Sequence, residues 1–151
     1  HQPDDPFEQG LLTMVDHHHT GFVLRSLAAI NRHAENKVIE EALRRGYRFY
    51  TSKLYAASGM PVNNYGAYPV NIHACAESIL CPATLTRDVG GAKKRAILAL
   101  RWTWSHMRNP ETGAPYFRKY KGITSKITHP RWGVAWMYRA LAEYLWRYEG
   151  R

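Results

Sequence analysis

A chain of 151 residues, 45% of them hydrophobic and 13% aromatic, can bury one core without disulfide or metal staples, and nothing in its length demands a second domain. Its apolar runs are short and broken by Arg, His or Pro, well under the roughly 20 residues of a membrane-crossing helix, so no membrane span is expected. The net charge of +9 favours an acidic partner, and the charge is unevenly placed: residues 1–24 hold four acids and no Lys or Arg, whereas residues 89–142 hold eleven Lys or Arg and one acid, Glu111.

The first ten residues are acidic and contain proline, with neither a basic start nor an apolar stretch, so they do not read as a signal peptide and the cytoplasm is the expected compartment. A start at His1 rather than at a methionine leads us to expect a piece of a longer chain. From His19 the run Thr-Gly-Phe-Val-Leu-Arg-Ser-Leu carries apolar residues on more than one stripe, which predicts a helix packed on several sides. Glu35 to Leu54 follows as a one-sided amphipathic helix, with Glu40-Glu41 and Arg44-Arg45 alternating with Val38, Ile39, Leu43, Tyr47 and Tyr50. The pattern then repeats. His73-Ala-Cys-Ala-Glu-Ser-Ile-Leu reads as a second buried helix, Ala92 to Met107 as a second surface helix, and Arg131-Trp-Gly-Val-Ala-Trp-Met-Tyr-Arg-Ala-Leu as a third buried one. Cys75 and Cys81, six apart on different faces of one helix, are expected to be buried thiols rather than a disulfide.

Both surface helices lead into long connections in which Gly59-Met60-Pro61 aligns with Gly113-Ala114-Pro115, each followed by aromatic and β-branched residues. A short extended excursion is predicted in each, and the match is a signal of internal duplication. The expected fold is all-α: repeated antiparallel helical hairpins forming a single domain over residues 1–151, with β-like excursions in the long loops. Two and a half hairpins leave open edges, so self-association or a missing N-terminal half is expected to complete the arc.

The segments Asp16-His-His-His-Thr-Gly-Phe-Val-Leu, Tyr68-Pro-Val-Asn-Ile-His-Ala and Thr124-Ser-Lys-Ile-Thr-His-Pro-Arg-Trp-Gly-Val-Ala-Trp-Met resemble the C-terminal part of a bacterial α/α-toroid family whose members are often encoded with exopolysaccharide and capsule biosynthesis functions. The resemblance spans nearly the whole chain and implies an arc of an (α/α) toroid, similar in fold to polysaccharide lyases and uronyl epimerases. It departs at Asn71, where the family pattern favours aspartate in Tyr-Pro-x-Asp-x-His; if that acid is catalytic in relatives, this chain is impaired.

In such a fold the ligand cavity lies where the loops enter the buried helices. The candidates there are His17, His18, His19, Tyr65, Tyr68, Asn71, His73, Tyr116, Arg118, Lys119, Tyr120, Lys126, His129, Arg131 and Trp132, a cationic, aromatic and hydrogen-bonding set. Rings stack on sugar faces and Arg or Lys pair with carboxylates, which points to an anionic, uronate-containing polysaccharide. For lyase or C5-epimerase chemistry His73 with Tyr68 or Tyr120 would handle the proton, and Arg131 and Lys119 would neutralise the carboxylate. His19, Asn71, Tyr116, Lys126 and Trp132 complete the expected substrate-binding set.

Other readings stay open: a non-catalytic polysaccharide-binding or scaffold module of an exopolysaccharide synthesis system, and a glycoside hydrolase completed by a missing N-terminal half. The only acids near the mouth, Asp16 and Glu77, argue against hydrolysis by this segment alone. No metal site is expected, because three adjacent histidines point in different directions. Zinc, nucleotide and phosphate-loop motifs are lacking, so no cofactor is expected. Arg118-Lys-Tyr-Lys-Gly-Ile-Thr-Ser-Lys interleaves cations with an aromatic as single-strand nucleic-acid binders do, but it falls in the loop facing the expected cavity, so a nucleic-acid partner is not favoured. An isoprenoid-handling toroid would need an aspartate-rich motif, which the chain lacks.

Overall fold

The computed structural model describes residues 15–63 and 66–150. Tyr65 and the acidic first ten residues lie outside them. Among the described residues the protein is mostly helical: five helices, α1 (His17–Ala34), α2 (Lys37–Lys53), α3 (Ile72–Thr84), α4 (Ala92–His106) and α5 (Ala135–Tyr148), with a π-helical turn at Pro130–Val134 leading into α5. Three two-residue strands, β1 (Val70–Asn71), β2 (Arg118–Lys119) and β3 (Thr124–Ser125), form an antiparallel sheet in that order. No helix is long and apolar enough to cross a membrane among the described residues.

Local chemistry sets the helix starts. The side chains of Asp16, Asn36 and Asn71 accept from the N–H groups of His19, Val38 and Ala74, each satisfying one of the donors a helix leaves orphaned at its start. Asparagine serves position 71 as a cap, at 2.7 Å from Ala74 N. Asn71→Ala should therefore cost about 1 kcal/mol in chemical unfolding, while Asn71→Asp, an equivalent cap, should leave stability within about 0.5 kcal/mol.

α3 lies at the centre, packed against α1, α4 and α5, and α1 packs in turn against α2. It is buried almost throughout, and Cys75 and Cys81 are free thiols inside it. Burial pushes the Cys75 thiol up to about 12, so it is an inert core group. Pro82 sits inside α3 and has no N–H for the carbonyl of Ser78, one turn earlier. The Tyr55 hydroxyl takes that orphaned carbonyl at 2.8 Å, binding the first long loop to the central helix.

Of the three helices predicted to be buried, only α3 is. On α1 Phe22, Val23 and Ile30 are exposed, and on the last helical segment Trp132, Tyr138, Leu145 and Trp146 are. Both carry apolar residues around most of their circumference, and among the described residues part of that surface has no neighbour.

The two loops that share the Gly-x-Pro motif close in a similar way, the second with one more residue in its turn. Tyr55 bridges Pro61 and Arg108 bridges Pro115, both antiparallel. Ala56 N–H donates to Met60 O as Asn109 N–H does to Ala114 O. Gly59 and Gly113 both take positive φ, 90° and 74°. A Cβ on Gly59 would also lie 2.5 Å from the Leu98 backbone in α4, whereas nothing lies within 4 Å of one on Gly113. The predicted excursions join rather than stand apart: β1 comes from the first loop and β2 and β3 from the second, with Asn71 opposite Arg118 and Arg118 opposite Ser125.

Candidate functional site

The cap at Asp16 fixes the rotation of α1, and three consecutive histidines then face three ways because successive helical side chains are about 100° apart. His17 points inward between Tyr50 and Tyr55. His18 meets α3, and His19 stays exposed beside Asp16, with Nδ1 3.0 Å from the carboxylate.

His18 and His73 lie with ring centroids 4.0 Å apart. Trp136 packs 4.8 Å from His73 and 5.4 Å from His18, and Trp132 lies 5.8 Å from His73. Burial, helped by the neighbouring His18, holds the His73 imidazole down at about 4, and burial with the charge of His19 also lowers His18. The His73 ring is therefore neutral at physiological pH, and burial disfavours a charge on His18 as well. His18 Nδ1 and His73 Nε2 are buried without a hydrogen-bond partner.

The sheet delivers the cation. Pairing of β1 with β2 sets Arg118 beside Asn71, with its guanidinium 4.8 Å from the Phe117 ring and its Nε buried and unpartnered. Asn71, Ile72, His73, Phe117, Arg118 and Trp132 enclose a cavity of about 290 Å³.

One turn below His73 lies Glu77, 0% exposed. Arg25 reaches across from α1 and donates from Nε to Oε1 at 2.8 Å and from Nη2 to Oε2 at 3.1 Å. Burial outweighs this pairing and raises the Glu77 carboxyl to about 7. The close approach of α1 requires Gly21, whose Cβ would lie 2.4 Å from Oε1. Among the described residues no group of three or more His, Cys, Asp or Glu is placed to hold a metal ion.

The expected residues are thus divided. His73, Asn71 and Trp132 share the cavity. Tyr68 is exposed in the loop before β1, and Tyr120 is exposed at the β2–β3 turn, its N–H donating to Ile123 O; neither is among the rings packed on His73. Lys119 donates to Thr124 Oγ1 at 3.4 Å, Lys126 lies 6.0 Å from the Tyr116 ring, and Arg131 stacks on Trp132 at 5.6 Å without lining the cavity. Arg118 takes the cation's place there. Trp136 and the Arg25–Glu77 pair were not anticipated as parts of the site. The spacing of Trp132 and Trp136, four residues apart on one helical face, was the available signal for the first; two residues 52 positions apart give none for the second.

No protein-family model matches the chain, and no similar curated protein or solved structure is found.

Proposed function

We propose that the protein recognises an anionic, uronate-containing polysaccharide at the cavity between β1, β2 and the start of α3. The observation that carries this is the pair of unpartnered nitrogens, Arg118 Nε and His73 Nε2, on residues that line one cavity with the face of Trp132. Buried polar groups are rarely left unsatisfied unless water, an ion or a ligand completes them. A sugar ring stacks on Trp132, its carboxylate pairs with Arg118, and neutral His73 stands beside the ring to exchange the proton next to that carboxylate. A carboxylate bound close by raises the proton affinity of His73, which suits it to lyase or C5-epimerase chemistry.

A second reading, binding without turnover, is favoured by the outlying positions of Tyr68 and Tyr120 and by an amide at Asn71 that is engaged as a helix cap. Hydrolysis is less favoured, since Asp16 caps α1 and Glu77 is clasped by Arg25. The apolar flanks left open on α1 and α5 support the view that this chain is an arc of an α/α toroid of the exopolysaccharide-associated kind, continued by further hairpins or a second copy.

Calorimetry against a panel of uronate polymers, with unsaturated-product absorbance and deuterium uptake at C5 by NMR, tests the assignment. Arg118→Ala should weaken binding by about 1.5–3 kcal/mol, the worth of a hydrogen bond to a charged group. His73→Ala should abolish proton exchange with little loss of binding. Binding without absorbance or exchange would select the binding module, and affinity indifferent to Arg118→Ala would remove this site.

A further inference from the structure

A second cleft lies near the other end of α3, about 20 Å from the first if measured along that 13-residue helix. Two adjoining cavities, of about 250 and 280 Å³, share Tyr47 and Gly90 and are lined on one side by Arg44, Arg48 and Thr51 of α2 and on the other by Gly91, Lys94 and Arg95. We propose that this cleft binds a phosphoryl group, as a phosphate monoester.

Two independent features converge on it, a helix start and a buried hydroxyl. α4 starts at Gly91 with no side-chain cap, and its first helical bond is Arg95 N–H to Gly91 O, so the preceding N–H groups of Ala92, Lys93 and Lys94 have no acceptor within the helix. The first turn holds no acid and carries Lys93, Lys94 and Arg95, three cations at the positive end of the helix dipole, an arrangement that a bound anion offsets. Tyr47 is only 5% exposed, lines both cavities, and its hydroxyl is buried without a partner.

The charges around the cleft leave donors to spare. Arg44 is paired with Glu40, and Arg95 stacks on Tyr55 at 4.9 Å. The one carboxylate lining the cleft, Asp88, is paired with Arg32 at 2.9 Å. Lys94 and Arg48 make no ion pair among the described residues. Donors thus approach from α2, from α4 and from the Tyr47 hydroxyl between them. A tetrahedral dianion uses donors from several directions, whereas a planar carboxylate offers two oxygens in one plane.

The test is calorimetric titration of the full chain with inorganic phosphate, glucose 1-phosphate and acetate at constant ionic strength, alongside co-sedimentation with phosphatidylcholine vesicles with and without phosphatidic acid. One-site binding of phosphate and glucose 1-phosphate, with none of acetate, is expected. Binding of glucose 1-phosphate without vesicle association assigns a soluble phosphate ester; association only with phosphatidic acid vesicles assigns a lipid headgroup. Lys94→Glu should weaken binding at least about thirtyfold, and Tyr47→Phe about tenfold. Glutamate at the third position of α4 suits the helix dipole, so Lys94→Glu should melt no lower than the parent without phosphate, which separates lost binding from lost folding. The proposal is overturned by the absence of saturable phosphate or vesicle binding, by equal affinity for acetate, or by unchanged affinity in Lys94→Glu.

Discussion

Gly21→Val should lower the stability of the chain by about 3–5 kcal/mol, enough to leave much of it unfolded at ambient temperature. Glycine here lets α1 approach α3 until the missing side chain is filled by Glu77: an added Cβ would lie 2.4 Å from Oε1, 2.6 Å from Cγ and 2.8 Å from Cδ. The end of a glutamate ordinarily swings aside at little cost. Glu77 has no such freedom, being sealed from solvent and held at both oxygens by Arg25. Either the helices separate, opening the contact between His18 and His73 above, or the ion pair breaks and leaves a buried charge without its partner. Urea unfolding followed by circular dichroism measures the loss, and a midpoint within about 0.5 kcal/mol of the parent would show that the contact yields. Glu77→Ala in the Gly21→Val background should recover part of the loss, because it removes both the clash and the stranded carboxylate.

The second large effect is expected at His17. Its Nε2–H donates to the Leu54 carbonyl, which makes Nδ1 the acceptor for the Tyr50 hydroxyl at 2.9 Å. Burial holds this imidazole down at about 4. The unfolded chain therefore takes up a proton near pH 6.5 that the folded chain refuses until about pH 4, and stability present in full above pH 6.5 is lost as the pH falls through that window, by about 3 kcal/mol from this group. Glu77 works in the opposite sense: folded, it keeps a proton up to about pH 7 that the unfolded chain releases near 4.5, so its contribution fades as the pH rises. His17→Leu should cost about 1–3 kcal/mol at pH 7, through the two hydrogen bonds it loses, since the Leu54 carbonyl keeps the Val62 N–H and the Tyr50 hydroxyl reaches the Glu77 carbonyl at 3.3 Å. It should also reduce the proton uptake on unfolding at pH 5.5 by about one. Unfolding free energies measured from pH 4.5 to 7.5 give both quantities; an unchanged slope would place the acid sensitivity elsewhere.

Local signals in the sequence carried much of this organisation. Helical periodicity placed the two surface helices to within two residues, and the Gly-x-Pro repeat marked two loops that close alike, the second one residue longer. What periodicity could not report was which sides of a helix have neighbours. α1, α3 and α5 are all broadly apolar, and only the middle one is enclosed, because enclosure depends on helix order in space. Of the candidate site residues, His73, Asn71 and Trp132 line one cavity at the start of the central helix. The lining of that cavity by Arg118 rather than Arg131 depended on strand register, and the clasp of Arg25 on Glu77 on an approach across Gly21, neither of which has a local signature.

Gly59 and Gly113 each stand two residues before a loop proline, yet among the described residues only Gly59 bears on something beneath it. The turn at Gly113 has no described atom within 4 Å of an added Cβ and can be lengthened or decorated freely. The same asymmetry makes it the natural place to graft a peptide or attach a dye, whereas an equal change at Gly59 would be transmitted into the backbone of α4.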